Sequence, residues 1–234
     1  MRRPFRTQWF SAHAIRLANI LLTLTTGGCV ASQVPLTTPA KGFVDRALVG
    51  YWLKVDRDGL DKTPSVHVDV DAYGMMTIEL LGGKDSDCDT AYLLAAYSSR
   101  LAGKKYLNAR FVGCKGQPPY SAPPEDPCTY IIMRYAVDND LRSMRRELGE
   151  ASLTELQSLS EPFPGRLAAL NLGDEGPAIS AIMEGRIDGV PKGHPPCLTA
   201  AAGDLRRFVR QGDKKIYPAR QWQFYVRVDT ATAD

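Results

Sequence analysis

Apolar and polar residues alternate along much of this chain with a period of two, the pattern of β-strands that bury one face. In one of the clearest segments, Val66, Val68 and Val70 are separated by His67 and Asp69. The predicted strands are 48–56, 66–70, 76–80, 91–101, 107–111, 131–137, 166–172 and 222–228. About eight strands are enough to close a small barrel. The sequence therefore predicts a mainly β fold, an antiparallel barrel-like sheet.

Helical patterns are few and short. One candidate helix spans 200–211 and has Gly212 as its stop. A second spans 177–185, and a third candidate lies within the segment 138–165. That segment interrupts the strand pattern and is interpreted as an insertion. The prediction is thus a barrel-like sheet with two or three short helices.

Residues 1–28 have the parts of a secretory signal peptide. Residues 1–16 carry four arginines and no acidic residue, and a ten-residue, mostly apolar run follows at 17–26. That run is too short to span a bilayer, which takes roughly 20 residues. Two glycines then precede Cys29. The sequence therefore predicts that the protein is exported.

The stretch LTTGGC at residues 24–29 resembles the processing site of bacterial lipoproteins, although such sites usually have Leu where this chain has Thr26. The resemblance implies cleavage before Cys29, a diacylglycerol on its sulfur and an acyl chain such as palmitate on the new amino terminus. Several acyl chains would hold the protein on a lipid bilayer, because each buried methylene contributes roughly 0.8 kcal/mol. An ordinary secretory cleavage, which leaves Cys29 free or disulfide-bonded, is the alternative.

Two features next to Cys29 refine this expectation. Residues 29–42 are small, polar and proline-containing, so they are expected to form a flexible tether between the lipid and the body. Val30 stands where an Asp retains some lipoproteins at the inner membrane. The resemblance therefore favours the periplasmic side of the outer membrane.

The charge of the body argues against one class of partner. The chain has 29 basic and 26 acidic side chains, and four of the basic ones belong to the signal-like segment, which leaves a net charge of −1 on the remainder. A nearly neutral body has no electrostatic reason to bind nucleic acid. No nucleic-acid partner is therefore expected. Residues 43–229 are expected to form a single β-rich domain.

Apart from Cys29 the chain has four cysteines, an even number that favours two disulfides in an exported protein. Of the three connectivities, the spacing favours Cys114–Cys128, because these residues flank a proline-rich loop and lie opposite each other if the adjoining strands pair. Cys88–Cys197 then follows by elimination. A zinc site is the competing use, but there is no C-x-x-C and no histidine at ligand spacing, so no metal or cofactor is predicted.

The chain has none of the common catalytic motifs. It lacks a G-x-S-x-G elbow, an H-E-x-x-H pair and a glycine-rich phosphate loop. An envelope hydrolase would need titratable side chains that converge, and the candidates are His67, Asp69, Glu79 and Asp85. Water-facing strand positions and solvated turns are the simpler interpretation of these residues.

The first predicted strand begins LVGYW at residues 48–52, and its G-x-W motif resembles the start of lipocalin-type barrels. In those barrels the Trp closes one end beneath an Arg from a late strand, and the resemblance assigns these parts to Trp52 and Arg227. A carrier of this kind requires a cavity for a hydrophobic ligand. Its expected lining residues are Trp52, Met76, Phe111 and Met133.

A wider resemblance covers most of residues 43–228 and concerns a group of uncharacterised bacterial envelope lipoproteins that are rich in β-structure. The resemblance consists of the order in which four segments occur along the chain: LAGKKYLNA (101–109), YIIMRY (130–135), AIMEGRIDG (181–189) and LTAAAGDLRRFV (198–209). The resemblance supports export and the fold, and it assigns no catalytic residue.

Together these observations predict a membrane-anchored envelope lipoprotein that acts as a non-enzymatic binding or interaction module. Its expected partners are the bilayer, through Cys29, and either an envelope protein or a hydrophobic ligand. A lipocalin-like carrier and an envelope hydrolase are the alternative functions.

Overall fold

Strands make up most of the chain that the computed structural model describes, namely residues 31–56, 59–60, 65–81, 91–117, 128–138, 140–141, 165–171, 180–190, 197–216 and 222–228. The strands are β1 (Ala31–Ser32), β2 (Gly50–Asp56), β3 (Gly59–Leu60), β4 (Val66–Val70), β5 (Met76–Leu81), β6 (Ala91–Leu101), β7 (Lys104–Cys114), β8 (Tyr130–Val137), β9 (Gly165–Asn171), β10 (Gly189–Val190), β11 (Cys197–Leu198) and β12 (Gln223–Val228). The helical elements include α1 (Ala202–Ile216), a helical turn at 180–183 and two 3-10 turns, Pro39–Lys41 and Arg46–Leu48.

Eight of these strands close into an antiparallel barrel, which confirms the predicted fold. Their order around the barrel is β2-β4-β5-β6-β7-β8-β9-β12, and β12 pairs again with β2. Each barrel strand therefore lies next to the barrel strand that precedes it in the chain. Closure pairs the first and last strands with each other, so neither presents its edge to another molecule.

The two ends of the barrel differ in their connections. At the end that we call lower, residues 71–75 connect β4 to β5, and residues 102–103 connect β6 to β7. The 3-10 turn Arg46–Leu48 also lies at this end, directly before β2. At the other end, which we call upper, β7 ends and β8 begins.

Alternation along the strands divides their side chains between two apolar clusters. The buried residues of the interior cluster, inside the barrel, are Leu48, Trp52, Val68, Met76, Ile78, Leu94, Ala96, Leu107, Ala109, Tyr135, Val137, Leu167 and Tyr225. The outer cluster lies between the barrel wall and the elements packed on it, and its members include Leu36, Ile132, Ala168, Leu198, Leu205, Val209 and Val226.

Strands β1, β11 and β10 extend the sheet away from one edge of β8. Strand β1 pairs antiparallel with residues 130–131 of β8 and parallel with β11, which pairs antiparallel with β10. Below this point, the same edge of β8 pairs with β9 over residues 133–137. One edge of β8 thus pairs with two strands in succession, first with β1 and then with β9.

Residues 31–42 pack on the barrel wall, which corrects the expected flexible tether over residues 29–42; Cys29 itself lies outside the described residues. The first two residues of this segment form β1, and Leu36 is fully buried in the outer cluster. The backbone N–H of Leu36 donates a hydrogen bond to Asn108 Oδ1 (2.7 Å). Composition indicated a tether because most of these side chains are small or polar, but backbone pairing and one buried leucine bind the segment to the body.

Helix α1 begins slightly later than predicted and ends later. It runs to Ile216 through Gly212, which was expected to be its stop. A glycine inside a helix costs about 1 kcal/mol relative to alanine. The complete burial of Leu205 and Val209 in the outer cluster offsets that cost, since tertiary packing provides most helix stability in proteins.

The remaining predicted helices are described only in part. The helical turn at 180–183 lies within the predicted helix at 177–185. Most of the predicted insertion 138–165 lies outside the described residues, although Leu141 is buried in the outer cluster. The strand pattern resumes at β9, as predicted.

One disulfide joins Cys128 to Cys197, with 5.7 Å between the two Cα atoms. The predicted pairing of these cysteines with Cys114 and Cys88 is therefore wrong. The reason is the extension of the sheet: β1 pairs with the start of β8 and also with β11, which begins at Cys197. This arrangement brings Cys197 next to Cys128.

Cys114 is disulfide-bonded as well, to a residue other than Cys128. The ladder between β7 and β8 ends at the pair of Arg110 and Tyr130. Cys114 lies beyond this pair on β7, and Cys128 lies before β8, so the two cysteines do not face each other across the ladder. Cys88 lies outside the described residues.

Candidate ligand-binding site

The lower end of the barrel is closed by Leu48, Trp52 and Arg227, which we call the floor. Trp52 has no solvent-accessible surface, and its Nε1 donates a hydrogen bond to the carbonyl oxygen of Leu48 (2.8 Å). Arg227 pairs with Trp52 in the register of β2 and β12, and its Cζ lies 5.9 Å from the centre of the indole ring system. The guanidinium of Arg227 therefore lies over the Trp52 ring at this end of the barrel.

Two glycines make room for the side chain of Arg227. Gly50 has a φ of +129°, and a Cβ there would lie 3.0 Å from Arg227 Cδ. A Cβ at Gly165 would lie 3.0 Å from Arg227 Nε. The glycine of the G-x-W motif therefore has a physical role, because it permits both the backbone conformation and the close approach of the guanidinium side chain.

A polar network next to the floor holds the segment that precedes β2. Asp45 Oδ2 accepts hydrogen bonds from Lys105 Nζ (2.8 Å) and Tyr135 Oη (3.0 Å). Tyr135 Oη also shares a hydrogen bond with Ser98 Oγ (2.6 Å), and Lys105 Nζ lies 2.8 Å from Asp140 Oδ2. The sequence does not reveal this network, because its members come from separate elements and no spacing along the chain relates them.

These contacts determine which side chains of the network are ionised. Burial on its own raises the pKa of Asp45, but hydrogen bonds from Lys105 and Tyr135 outweigh it and hold the pKa below the ordinary value of 3.8. Burial on its own lowers the pKa of Lys105, but hydrogen bonds to Asp140 and Asp45 outweigh it and hold the pKa above 10.5. Burial raises the pKa of Tyr135 well above its ordinary value. At neutral pH, Asp45 and Lys105 are therefore ionised and Tyr135 is neutral.

Replacing Asp45 by asparagine is expected to lower the free energy of unfolding by about 2 kcal/mol at pH 7, because the charge facing Lys105 is lost while the side-chain shape is kept. The pKa of Asp45 is lower in the folded state than in the unfolded state. Its ionised form therefore stabilises the fold above about pH 4, and this contribution is lost as the pH falls through the folded-state pKa. Urea unfolding of both proteins between pH 3 and pH 8 measures the difference.

The control for this substitution is Asp69→Asn, since Asp69 is exposed and its Oδ1 accepts a local hydrogen bond from the N–H of Val70 (2.7 Å). The control is expected to change stability by less than about 0.5 kcal/mol. The effect of Asp45→Asn should shrink below pH 4. An effect of the same size at every pH would show that the charge of Asp45 does not stabilise the fold.

The four residues expected to line a cavity face the barrel interior at two different depths. Trp52 and Met76 have no accessible surface, so they border neither solvent nor a void large enough for water. Phe111 and Met133 are half-buried and pack against the interior cluster. The floor and the residues around Met76 therefore fill the lower half, and only the second pair can contact a ligand without rearrangement.

Further half-buried apolar residues accompany Phe111 and Met133 in the upper half of the barrel. Leu80 and Ile131 also pack against the interior cluster and keep accessible surface. We call Leu80, Phe111, Ile131 and Met133 the upper apolar site. Leu80 and Ile131 were not among the expected lining residues, although the alternation that placed Met133 inside also places Ile131 there, two residues earlier.

Two of the four candidate catalytic residues meet on the outer face of the barrel. His67 Nδ1 lies 3.3 Å from Glu79 Oε2, which also accepts a hydrogen bond from Lys115 Nζ (2.9 Å). The imidazole ring stacks on Tyr51, with 4.0 Å between the ring centres. Asp69 is exposed on the same strand as His67.

The lowered pKa of Glu79 is the one expected for a carboxylate in a structural ion pair. Burial on its own raises its pKa, but hydrogen bonds from Lys115 and His67 outweigh it, so the pKa lies below the ordinary 4.5. Glu79 is therefore ionised at neutral pH and paired across the β4–β5 ladder. Asp85 lies outside the described residues. Within the described part of the chain, no three His, Cys, Asp or Glu side chains are grouped as metal ligands.

The fold and its interior define a closed, eight-stranded antiparallel barrel with an apolar interior and partly buried apolar residues in its upper half. No protein-family profile, no curated protein and no solved structure matches the chain. Among the described residues, no helix has both the length and the apolar character to cross a bilayer. The function is therefore inferred from the barrel, its edges and the sequence that precedes it.

Proposed function

We propose that this protein is a lipid-anchored binding protein of the cell envelope that holds a hydrophobic ligand at the upper apolar site. The observation that carries the proposal is a difference in burial among the apolar residues that face the barrel interior. Trp52 and Met76, near the lower end, have no accessible surface, whereas the residues of the upper apolar site pack against the interior cluster and are only partly buried. Concave apolar surface in the mouth of a barrel is a common place for a hydrophobic ligand.

Burial of apolar surface is the driving force for such binding. Each methylene group that leaves water contributes about 0.8 kcal/mol, so a chain of about ten methylenes gains roughly 8 kcal/mol before the cost of association. The filled lower half limits how deeply a ligand can enter. The ligand is therefore expected to insert one apolar end and to keep its other end at the upper rim.

The lipid anchor is the second part of the proposal and rests on the sequence before Cys29. The intact mass of protein purified from membranes is expected to match a chain that begins at Cys29 and carries acyl groups. It should also lack the hydrogens of four thiols, because two disulfides have formed. Replacing Cys29 by serine should move the protein out of the membrane fraction; equally firm retention would contradict the anchor.

Ligand binding is tested with the fluorescent hydrophobic probe N-phenyl-1-naphthylamine and the mature, full-length chain that carries Cys29→Ser. The wild-type interior is expected to bind the probe, and Met133→Lys should weaken binding at least about tenfold, because it places a charge in the upper apolar site. Met75→Lys is the matched control, since Met75 is exposed on a turn at the lower end.

Circular dichroism and unfolding curves check that both lysine variants are folded. If Met133→Lys does not fold, Phe111→Leu tests the same site with a smaller change of side-chain shape and should alter the affinity for the probe. A wild-type protein that does not bind the probe would contradict the proposal. So would equal binding by the wild type and by folded variants at both interior positions.

A further inference from the structure

The upper half of the barrel interior has polar side chains as well as apolar ones. Trp52 belongs to the interior cluster, so Lys54, two residues further along β2, faces the interior as well. Lys54 is half-buried and lies two residues before Asp56, the last residue of β2. Because the 3-10 turn Arg46–Leu48 precedes β2 at the lower end, Lys54 lies in the upper half, above Trp52.

Strand β12 places two further polar side chains beside Lys54. Tyr225 is in register with Lys54 and belongs to the interior cluster. Gln223, the first residue of β12, faces the same way as Tyr225 and is half-buried. Tyr225 Oη donates a hydrogen bond to Gln223 Oε1 (2.8 Å), which orients the amide group of Gln223. We call Lys54, Gln223 and Tyr225 the polar side of the interior.

The polar side lies across the barrel from the upper apolar site. In the closed order β2-β4-β5-β6-β7-β8-β9-β12, strand β7 is four strands away from β2 in either direction. Lys54 on β2 and Phe111 on β7 therefore face each other across the barrel axis. The interior of an eight-stranded barrel is just wide enough for side chains or for one small ligand. A ligand between these strands would contact both sides at once.

We propose that the ligand of the upper apolar site is a fatty acid, whose carboxylate binds to Lys54 and Gln223 and whose alkyl chain packs on the upper apolar site. This inference rests on the proposed function and names the chemical class of its ligand. Lys54 lies close to the upper end of β2, and Gln223 is the first residue of β12. The carboxylate end of the ligand therefore stays near the upper rim, as the proposed function requires.

The donors of the polar side match a singly charged head group. The ammonium group of Lys54 and the amide of Gln223 supply one positive charge and several N–H donors. A carboxylate has one negative charge and two oxygens that accept such hydrogen bonds, which are about twice as strong between charged groups as between neutral ones. A phosphate monoester has a charge of nearly −2, and partial burial opposite one cation would leave half of it uncompensated. The polar side therefore favours a carboxylate over a phosphate.

Competition binding by the mature, full-length chain that carries Cys29→Ser tests this proposal. Dodecanoate and dodecanol have the same number of carbon atoms and differ in the charge of the head group. Each is titrated at pH 8 into protein that holds N-phenyl-1-naphthylamine, and the loss of probe fluorescence gives its affinity. Lys54→Met is expected to weaken binding of dodecanoate at least about tenfold, because it removes the ammonium group. Binding of dodecanol should change by less than about twofold.

Two control variants accompany Lys54→Met. Lys54→Arg keeps the positive charge, so its affinity for dodecanoate is expected to stay within about threefold of that of the unaltered interior. Lys41→Met is the matched control, since Lys41 is exposed in the 3-10 turn Pro39–Lys41, and it should leave both affinities unchanged.

A second variant keeps the proposal testable if circular dichroism shows that Lys54→Met does not fold. Gln223→Glu keeps the shape of the side chain and adds a negative charge to the polar side. It is expected to weaken binding of dodecanoate at least about tenfold, because like charges repel. Binding of dodecanol should again change by less than about twofold.

The other outcomes separate the class of the ligand from the proposed function. Protein that binds N-phenyl-1-naphthylamine but not dodecanoate would overturn the fatty-acid ligand and leave the hydrophobic site intact. Equal affinities for dodecanoate in the folded Lys54→Met protein and its control, or equal weakening of dodecanoate and dodecanol, would overturn it too. So would dodecyl phosphate that binds at least about tenfold more tightly than dodecanoate. Protein that does not bind the probe contradicts the proposed function itself.

Discussion

Replacing Trp52 by alanine is expected to lower the free energy of unfolding by about 4 kcal/mol, because the indole ring is completely buried in the floor and its removal leaves a large cavity. The substitution also removes the hydrogen bond from Trp52 Nε1 to the carbonyl oxygen of Leu48 (2.8 Å) and the ring beneath Arg227. Urea unfolding followed by far-ultraviolet circular dichroism measures the change.

Two further substitutions divide this effect into its parts. Trp52→Phe keeps an aromatic ring beneath Arg227 but loses the hydrogen bond and part of the volume, so a loss of about 2 kcal/mol is expected. Tyr73→Ala, at an exposed position, should change stability by less than about 0.5 kcal/mol. A Trp52→Ala protein as stable as the Tyr73→Ala control would show that the floor does not hold the barrel together.

Removal of the Cys128–Cys197 disulfide by a double serine substitution is expected to cost about 4 kcal/mol. The bond links residues 69 positions apart, and in the chain-entropy model a loop of that length strongly restricts the unfolded chain. The bond also joins β11 to the start of β8, so its loss should loosen the extension that carries Ala31. The midpoint and slope of urea unfolding, without reducing agent, measure the change.

The control for the disulfide is Cys29→Ser in the same mature chain, which alters a cysteine outside the described residues. Both proteins should keep the bond made by Cys114, as peptide mapping without reduction can verify. A double variant with wild-type stability would mean that the extension unfolds separately from the barrel. In that case the extension would not be a fixed part of the fold.

The floor and the disulfide each join one part of the barrel to a neighbouring segment of the chain. Trp52 and the network around Asp45 tie the lower end to the segment before β2. The disulfide and β1 tie the extension to the upper part of β8. Under the proposed function, a hydrophobic ligand then meets a preformed apolar surface, which limits the entropy lost on binding.

Local pattern was sufficient to predict the strands. The predicted strand 91–101 has the same bounds as β6, and the predicted strands 66–70 and 76–80 match β4 and, within one residue, β5. A strand that buries one face must alternate, whichever strand it pairs with, so this signal is present in the segment itself. The closed barrel followed from the number of such strands.

Contacts between distant segments were not predictable in the same way. Cys128 was assigned to the wrong partner because the neighbour of β8 at that point is β1, a strand of two residues with no alternation to recognise. The network of Asp45, Lys105 and Tyr135 was missed because each residue alone is an ordinary polar residue. Such contacts depend on which edges and faces meet after folding.

The sequence alone therefore determined that this chain alternates into about eight strands, that they close into a barrel, and that a signal-like segment with Cys29 precedes it. Only the tertiary structure decided which cysteines pair, that residues 31–42 lie on the wall, and where along β8 the pairing partner changes from β1 to β9. The physical reason is that alternation reflects the burial of a strand's own faces. Which strands pair depends instead on competition among all the strands for the same edges.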